Sequence, residues 1–410
     1  MKKFFALLLS LAMVLALVAC GQKEPTPDTP DTPDDTQPKV EYKVAMITDY
    51  GDITDQSFNQ TTYEACKAFA EDNSIEFSYF KPAGDNTADR VAMIEKAVND
   101  GFNVIVMPGY AFGGAIVEAA PEFPDVKFIA LDVAAGDLLE TAVAKAGEAY
   151  DYTPENWDLN KYVDMSNVYC AVYQEELCGY MAGYAAVKLG YKNLGFLGGM
   201  SVPAVVRYGY GFVQGVDAAA ADLGLTDVKL NYIYGGQFFG DADITAVMDT
   251  WYQGGTEVVF ACGGGIYTSA VDAAKKVNAK VIGVDVDQAG VIAKYAGVDG
   301  MTVTSAMKGL YPATYDTLTD VIVNGNWDKY VGKIATLGLV SGTDPEANYV
   351  QIPMGDGTQW SDSFTQDDYK AMVKDMFDGK ITVSNNTSSD VTAASFATVI
   401  TVDDQGSIKG

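Results

Sequence analysis

The sequence predicts an α/β protein in which two Rossmann-like lobes, each built on a parallel sheet, enclose a cleft. Short apolar runs rich in β-branched and aromatic residues alternate with segments of helical periodicity from residue 43 onward. These runs are apolar along their whole length, which is typical of strands buried on both faces of a parallel sheet. Roughly 370 residues follow the polar N-terminal region and suit two lobes of about 150 residues each.

The order of these runs predicts the elements of each lobe. The predicted strands are 43–49, 75–80, 103–109, 127–132, 167–173, 193–199, 229–236, 257–264, 280–287 and 301–309. The predicted helices are 58–72, 90–100, 175–189, 205–223, 242–253 and 269–277. We expect a first lobe of about 43–166 and 292–383, a second lobe of about 167–291, and a hinge between them. The Ser/Thr-rich tail 384–410 has no predicted place in either lobe.

The N-terminal residues have the pattern of a lipoprotein signal peptide. Two lysines precede an apolar or small stretch at 4–18, which is shorter than the roughly 20 apolar residues needed to span a bilayer. The sequence Leu-Val-Ala-Cys then matches a lipobox, so residues 1–20 are the predicted signal peptide and Cys20 the lipidated residue. An ordinary signal peptide with an incidental cysteine is the alternative.

Residues 21–42 are rich in Pro, Thr and Asp and have no apolar period. Such a segment cannot bury enough apolar surface to offset its ordering entropy, so we expect a disordered tether. The folded chain is therefore expected on the extracytoplasmic side of the cell membrane, anchored by lipid rather than spanning the bilayer.

The composition excludes several classes of function. A formal net charge of −28 disfavours nucleic-acid binding, because phosphate backbones are bound by Lys and Arg. The chain has no histidine, which removes the usual catalytic base and the commonest transition-metal ligand. Cys66, Cys170, Cys178 and Cys262 form no C-x-x-C pair, and we expect buried thiols, with disulfides as the alternative. No cofactor, metal site or catalysis is expected.

Polar residues collect where the predicted strands end. Asp49, Asp132 and Asp285 each lie at such an end, and the triplet Gly263–Gly265 follows another strand. Ligands of parallel α/β sheets bind beyond the carboxyl ends of the strands. We therefore expect these positions to line the ligand cleft.

The segment 48–60, TDYGDITDQSFNQ, joins a predicted strand to a predicted helix. Ser57 is a candidate N-cap, which places Phe58 at the helix start, facing whatever occupies the cleft. Asp52 and Asp55 have an alternative role to binding in the cleft, which is to solvate the loop and stabilise the helix dipole. A calcium site at the motif's aspartates is disfavoured because their spacing lacks the alternation of an EF-hand loop.

Two further residues at strand ends have charges suited to a ligand. The Asp285 carboxylate is placed to accept hydrogen bonds from the two vicinal hydroxyls of a ribose, whereas Asp287 is more typical of a turn. Lys308 ends a predicted strand that re-enters the first lobe, where it would offset the cleft carboxylates. The alternatives are a turn aspartate at 285 and a surface lysine at 308.

Two predicted loops of the second lobe contain, respectively, a glycine triplet and a pair of phenylalanines. The triplet Gly263–Gly265 lacks the P-loop and dinucleotide-binding patterns, so we interpret it as backbone that approaches a ligand or a hinge closely. Phe238 and Phe239 follow a predicted strand. They either line the cleft or belong to the core of a lobe.

Several segments, in their order and spacing, resemble the basic membrane protein family of lipoproteins, which includes a purine nucleoside receptor of spirochaetes. The segments are AMITDYGDITDQSFNQ, YQEELCGYMAGYAA with LGFLGGM, VIGVDVDQ and TSAMKG. The resemblance covers roughly residues 43–383. It implies a type I periplasmic-binding fold and capture of a nucleoside for the permease of an ABC importer. We expect a monomer without enzymatic activity.

The resemblance also implies which residues bind the ligand. The family's ligand positions fall on Asp49, Phe58, Asn59, Asp132, Phe238, Gly264, Asp285 and Lys308. Aromatic rings would stack on the base, Asp49 and Asn59 would contact its polar edges, and Asp285 with Lys308 would hold the ribose. The chain departs from the family pattern at 238–241, Phe-Phe-Gly-Asp, and at 263–267, Gly-Gly-Gly-Ile-Tyr, and both departures touch the expected base pocket.

Two alternative functions remain open at the level of sequence. The same class of receptor would suit a sugar or an autoinducer-like ligand, because sugars also stack on aromatic rings. A secreted nucleoside-processing enzyme is the second alternative, and its acid and base would both have to be carboxylates in a chain without histidine.

Overall fold

The computed structural model describes residues 41–49 and 51–409. The predicted signal peptide, its Cys20 and residues 21–40 of the predicted tether lie outside the described residues. From Tyr42 onward the chain forms one compact unit. Within the described ranges, no helix combines the length and the apolar character needed to cross a membrane.

Two sheets organise this unit. The strands are β1 (Lys43–Ile47), β2 (Glu76–Phe80), β3 (Val104–Pro108), β4 (Lys127–Leu131), β5 (Val168–Tyr173), β6 (Asn193–Gly198), β7 (Lys229–Tyr234), β8 (Val258–Cys262), β9 (Lys280–Asp285), β10 (Thr302–Lys308), β11 (Ile334–Leu337), β12 (Val350–Gln351) and β13 (Thr401–Ser407). The first sheet has the order β11-β5-β4-β3-β1-β2 and the second the order β12-β10-β9-β8-β6-β7-β13. Within the described ranges, these strands pair in parallel except β10 with β12, which confirms the predicted parallel sheets.

The helices alternate with the strands, as predicted. Their bounds are α1 (Phe58–Asn73), α2 (Thr87–Asn99), α3 (Gly113–Ala119), α4 (Ala135–Lys145), α5 (Leu159–Tyr162), α6 (Glu175–Lys188), α7 (Pro203–Asp222), α8 (Ala242–Gln253), α9 (Tyr267–Val277), α10 (Ala289–Ala296), α11 (Leu310–Leu318) and α12 (Gln366–Phe377). The six helices that the periodicity predicted are all present, with ends that shift by a few residues.

Strand order decides where a ligand site can form. The central strands run β2-β1-β3-β4-β5 in the first sheet and β7-β6-β8-β9-β10 in the second, so both repeat one doubly wound order. In this order β2 and β3 lie on opposite sides of β1, and β7 and β8 lie on opposite sides of β6. The strand order therefore reverses between β1 and β3 and between β6 and β8, which opens a crevice at the carboxyl ends of the strands. Residues that follow these ends are therefore exposed to a crevice rather than buried in the core.

The predicted lobe boundaries are wrong for two strands. β5 pairs with β4 and β11 and therefore belongs to the first sheet, although residues 167–291 were expected in the second lobe. β10 pairs with β9 and β12 and therefore belongs to the second sheet, although residues 292–383 were expected in the first. Strands buried on both faces have the same apolar pattern in either sheet, so only the pairing reveals to which sheet each belongs.

Helices α6 and α7 pack closely and carry two residues of the site. Added Cβ atoms at Gly179 of α6 and Gly211 of α7 would collide with the backbone of the facing helix at Tyr208 and Glu176. Small residues at these contacts let the two helix backbones approach each other. This packing fixes the start of α6, at Glu175, beside the first two turns of α7.

The tail 384–410 was unplaced, and the predicted domain ended at 383. The structure instead includes the described part of the tail in the folded unit, because β13 adds to the edge of the second sheet beside β7. The four cysteines among the described residues are free and buried, which confirms the expected buried thiols.

Candidate functional site

A cavity of about 390 Å³ lies at the carboxyl ends of strands from both sheets. This volume is near the lower end of the range of about 300–1,000 Å³ that is typical of small-molecule sites. All eight residues predicted to bind a ligand lie on its wall: Asp49, Phe58, Asn59, Asp132, Phe238, Gly264, Asp285 and Lys308. The structure therefore brings together positions that are far apart in the sequence.

Lys308, at the end of β10, is the centre of charge in this cavity. Its Nζ lies 2.5 Å from Asp132 Oδ2 of the first sheet and 3.7 Å from Asp285 Oδ1 of the second. The lysine side chain is only 3% exposed, so it is not the surface lysine of the alternative interpretation. Burial by itself lowers the pKa of Lys308, but the nearby carboxylates stabilise its charge, outweigh burial and hold this pKa well above the ordinary range.

Glu175 is a third carboxylate in this cluster, and the sequence did not point to it. Its Oε1 lies 3.5 Å from Lys308 Nζ, and its Oε2 accepts a hydrogen bond of 2.7 Å from Arg207 Nε. The Glu175 side chain is fully buried, and burial raises its pKa despite the two cations. Two consecutive glutamates at 175–176 in an otherwise apolar helix were the signal available in the sequence.

Asp285 joins the two halves of the cleft. Its Oδ2 accepts a hydrogen bond of 2.5 Å from Ser57 Oγ, and its Oδ1 accepts one of 3.3 Å from Tyr208 OH. Burial raises the pKa of Asp285, and the neighbouring Lys308 opposes this rise. The residue has a φ of 65°, and Val286 N donates a hydrogen bond of 2.7 Å to Val284 O across it, so the chain turns sharply at the end of β9.

The loop before α1 is capped differently from the prediction. Ser57 occupies the N-cap position but makes no capping bond with its side chain, because its hydroxyl reaches Asp285 instead. The Asp55 carboxylate caps the helix instead, because it accepts hydrogen bonds from the backbone N–H groups of Ser57, Asn59 and Gln60 at 2.9–3.1 Å. The predicted start of α1 at Phe58 is nevertheless confirmed.

Asp49 and Asn59 form a polar wall beside this loop. Asp49 Oδ1 accepts a hydrogen bond of 2.6 Å from Gly51 N. The Asn59 amide donates to Asp55 Oδ2 at 3.1 Å, and its buried Oδ1 has no hydrogen-bond partner within the described part of the chain. Asp132 Oδ1 is likewise buried without a partner among the described residues. Both atoms are buried acceptors of residues that line the cavity, so a ligand that reaches them is expected to supply donors.

Aromatic rings reach the cavity from both sheets. Phe58 begins α1 on the side of the first sheet, and its ring centre lies 4.7 Å from Lys308 Nζ. Phe238 follows β7 of the second sheet, and added Cβ atoms at Gly199 or Gly263 would collide with its ring. The glycines therefore make room for the ring, and Phe238 lines the cleft. The neighbouring Phe239 is 56% exposed and also borders the cavity.

The glycine triplet after β8 brings backbone into the wall. Gly263 and Gly264 have φ values of 153° and 49°, of which the second is the left-handed conformation that glycine adopts most readily. Gly265 N donates a hydrogen bond of 2.9 Å to Phe238 O, which ties the triplet to the aromatic loop. This arrangement agrees with the interpretation that the triplet allows a close approach of backbone to a ligand.

Carboxylates outnumber cations on the cavity wall. Its carboxylates and cations are Asp49, Asp52, Asp55, Asp132, Asp137, Asp285, Arg207 and Lys308. Sequence reasoning missed Arg207 and Asp137. Arg207 is one of the chain's two arginines and lies in a largely apolar helix, which was the available signal. Asp137 caps α4 through a bond of 2.7 Å from Ala134 N, and burial raises its pKa to about 7.

No group of three or more His, Cys, Asp or Glu side chains in the described ranges is arranged to hold a metal ion. The carboxylates of the site are instead occupied with lysine, arginine, hydroxyl and backbone N–H partners. The site can therefore offer a ligand charged acceptors, one polar amide, aromatic rings and a shared lysine.

Comparisons with known proteins agree with this geometry. The family model "Bmp: ABC transporter substrate-binding protein PnrA-like" matches residues 42–344. The ABC transporter nucleoside-binding protein BmpA of Lactococcus lactis is 25% identical, covering 92% of this chain and 96% of the relative. Basic membrane protein B of Borreliella burgdorferi is 26% identical, covering 76% of this chain and 83% of the relative.

Solved structures show the same fold. An ABC transporter solute-binding protein of Aeropyrum pernix superposes with a TM-score of 0.63 at 18% identity, covering 85% of this chain and 95% of that one. One from Conexibacter woesei gives a TM-score of 0.58 at 20% identity, covering 84% and 99%. These matches confirm the predicted type I periplasmic-binding fold. The chain belongs to the Bmp family of ABC transporter substrate-binding proteins.

Proposed function

We propose that this protein captures nucleosides outside the cell and delivers them to the membrane permease of an ABC importer. The observation that carries the proposal is the cavity itself, where aromatic rings from both sheets flank a cluster of buried hydrogen-bond acceptors. We further propose that the protein acts as a monomer without catalysis, anchored to the cell membrane through a lipid on Cys20.

The hydrogen-bonding groups of the cavity favour a neutral ligand rich in donors. Asp132 Oδ1 and Asn59 Oδ1 are buried acceptors without partners among the described residues. Leaving such an atom unpaired costs about 1–3 kcal/mol, and a ligand hydroxyl or N–H group would remove that cost. A nucleoside supplies such groups at both ends, from its ribose hydroxyls and from the polar edge of its base.

Each wall of the cavity suits one part of a nucleoside. We assign the base to the aromatic rings of Phe58 and Phe238, with Asp49 and Asn59 at its polar edge. Stacking of a base on an aromatic ring is worth about 1–3 kcal/mol in proteins that bind single-stranded nucleic acids. Asp285, together with Asp132 and Lys308, would hold the ribose. Gly264 brings backbone close to the ligand.

The name of the Lactococcus relative supports the same class of ligand, since that protein is named as nucleoside-binding and its similarity covers 92% of this chain. The shortage of cations on the wall supports the neutral nucleoside over the nucleotide. A 5′-phosphate would meet repulsion from the surrounding aspartates, and Arg207 and Lys308 are the only cations among the described residues of the wall that could offset it.

The first test is binding by calorimetry to adenosine, guanosine, inosine and uridine, with free ribose, free base and AMP for comparison. We expect a nucleoside to bind tightly, free ribose and free base to bind much more weakly, and AMP to be rejected. Mass spectrometry of what the denatured protein releases would identify a co-purified ligand. Tight binding of AMP, or of a sugar in preference to every nucleoside, would contradict the proposal.

The second test assigns Asp285 and Phe58 to different parts of the ligand. Asp285→Ala should weaken nucleoside binding by about 2–4 kcal/mol, because charge-assisted hydrogen bonds are lost. Phe58→Ala should cost about 1–3 kcal/mol through lost stacking. With a 2′,3′-dideoxynucleoside, Asp285→Ala should lose little further affinity, whereas Phe58→Ala should remain costly.

Asp287→Ala is the matched control for Asp285→Ala. Asp287 lies two residues further on, is exposed, and accepts a hydrogen bond from Ala289 N at 3.0 Å. We expect this variant to bind like wild type. If Asp285→Ala also binds like wild type while remaining folded, residues other than Asp285 bind the ribose.

A further inference from the structure

The tail segment, residues 384–409, runs along the second sheet and ends beside the aromatic loop of the cavity. It is attached to α7 at three points, of which the first two are Gln214, bonded to Ser384, and Tyr210, bonded to Val391. The third is Asp217, whose Oδ1 accepts backbone N–H groups from Thr398, Val399 and Ile400 at 2.8, 2.8 and 3.2 Å. β13 then pairs with β7 from Thr401 to Ser407. The segment is therefore guided toward the carboxyl end of β7, where the loop that carries Phe238 begins.

The last described residues of the tail segment contact this loop directly. Ile408 N donates a hydrogen bond of 2.8 Å to Tyr234 O, at the end of β7. Lys409 lies against Gly236, whose φ is 80°, and a Cβ at that glycine would come within 2.7 Å of Lys409 O. Lys409 Nζ donates a hydrogen bond of 2.9 Å to Gln237 Oε1 and forms an ion pair with Asp241.

Gln237 links Lys409 to the residues that follow Phe238 in the loop. Its Nε2 donates to Phe239 O at 2.9 Å and to Asp241 Oδ2 at 2.9 Å. Asp241 in turn caps α8 by accepting the N–H of Ile244 at 3.0 Å. Lys409 thus bonds to residues on both sides of Phe238, although Lys409 is not among the described residues that line the cavity.

We propose that Lys409 and Gln237 form a strut that holds Phe238 in position, so that the tail segment sets the ligand affinity of a cavity it does not line. Both are positioning residues, because they act on the ligand only through the loop. A loop that is already ordered before binding costs less entropy when the ligand arrives. The effect on affinity rests on the proposed function, whereas the effect on loop order does not.

The test uses the full-length chain with Lys409→Ala, Gln237→Ala and the double variant. Hydrogen exchange of the backbone amides at 236–240 reports loop order without any ligand, and calorimetry measures affinity for the tightest-binding of adenosine, guanosine, inosine and uridine. We expect faster exchange and affinity lower by about twofold to fivefold, the range of one exposed ion pair or one hydrogen bond. The double variant should be no weaker than the more affected single variant.

Two controls separate positioning from general stability. Lys276→Ala removes an exposed ion pair with Asp249, also on α8, at 2.7 Å, and should change neither exchange at 236–240 nor affinity. Lys409→Arg keeps the charge and donors and should restore both readouts.

Each outcome decides the proposal. Unchanged exchange at 236–240 in Lys409→Ala overturns the strut, as does faster exchange spread equally over the whole second sheet. Faster loop exchange with unchanged affinity also overturns it, because the strut would then not affect the ligand. If wild type binds none of the four nucleosides, the proposed function fails, and the exchange result alone decides whether the strut exists.

Discussion

Replacing Lys308 by methionine tests the charge cluster on which the site is built. The lysine Nζ lies within 4 Å of three carboxylates, those of Asp132, Glu175 and Asp285. Methionine has a similar length and no charge, so Lys308→Met leaves the cluster with Arg207, paired with Glu175, as its one cation among the described residues. Removing one partner of a buried ion pair costs about 3–5 kcal/mol, and we expect a loss of stability of this size at pH 7.

The loss of stability in Lys308→Met should become smaller as the pH falls. Burial already raises the pKa values of Glu175 and Asp285, and Lys308 opposes both rises. Without the lysine these pKa values rise further, so the folded variant retains protons that the unfolded chain has released. Such a group adds stability at low pH that is lost as the pH rises. Between pH 7 and pH 5 the deficit should shrink by about 1.4 kcal/mol per pH unit for each proton held.

Urea denaturation followed by circular dichroism at pH 7 and pH 5 measures both effects. Lys276→Met is the matched control, because it removes a lysine whose side chain is 52% exposed and whose pair with Asp249 is at the surface. Exposed pairs contribute only about 0.2–1 kcal/mol, so this control should be nearly as stable as wild type. If Lys308→Met unfolds at the same urea concentration as wild type at both pH values, the ion pairs of Lys308 do not stabilise the folded protein.

Three further predictions concern other parts of the chain. Cys20→Ser should release the protein from membranes and abolish palmitate labelling, and a variant that stays membrane-bound with unchanged labelling would contradict the lipid anchor. Gly199→Ala should weaken nucleoside binding by about 1–3 kcal/mol, because its Cβ would displace the stacking ring of Phe238, whereas Gly290→Ala, where the added Cβ meets open space, should bind normally in calorimetry. Asp217→Ala should expose residues 384–400 to limited proteolysis at neutral pH, and equal resistance to wild type would show that β13 and the bonds of Gln214 and Tyr210 to the tail hold it without Asp217. Burial raises the pKa of Asp217, but its hydrogen bonds to Thr398, Val399 and Ile400 outweigh this and lower it overall, so its contribution to stability should be full at neutral pH and lost on acidification below about pH 4.

The elements of the fold could be read from local pattern. Every predicted strand and helix is present, because strands buried on both faces must be apolar throughout and helices beside them must have one apolar face. The site residues at strand ends, such as Asp132 and Asp285, could also be predicted. Parallel strands place their carboxyl ends at one edge of the sheet, so residues distant in sequence meet there.

The partners of these residues could not be predicted. Ser57 fits the pattern of an N-cap, yet its hydroxyl bonds to Asp285, because the two sheets bring a closer and charged acceptor within reach. Glu175 and Arg207 lie in helices whose residues are directed by the close contact of α6 with α7. A sequence pattern indicates that a helix has an apolar face but not which neighbour that face meets.

The sequence by itself thus determined the alternation of strands and helices and the class of fold, and its resemblance to the basic membrane protein family indicated eight residues that lie on the cavity wall. Only the tertiary structure decided that β5 belongs to the first sheet, that β10 belongs to the second, and that the tail reaches the Phe238 loop. The physical reason is that hydrogen bonds between strands join segments far apart in the chain. Which strands pair depends on which strand edges are still unpaired when the other strands have joined the sheet. A short stretch of sequence therefore does not indicate the partner of a strand.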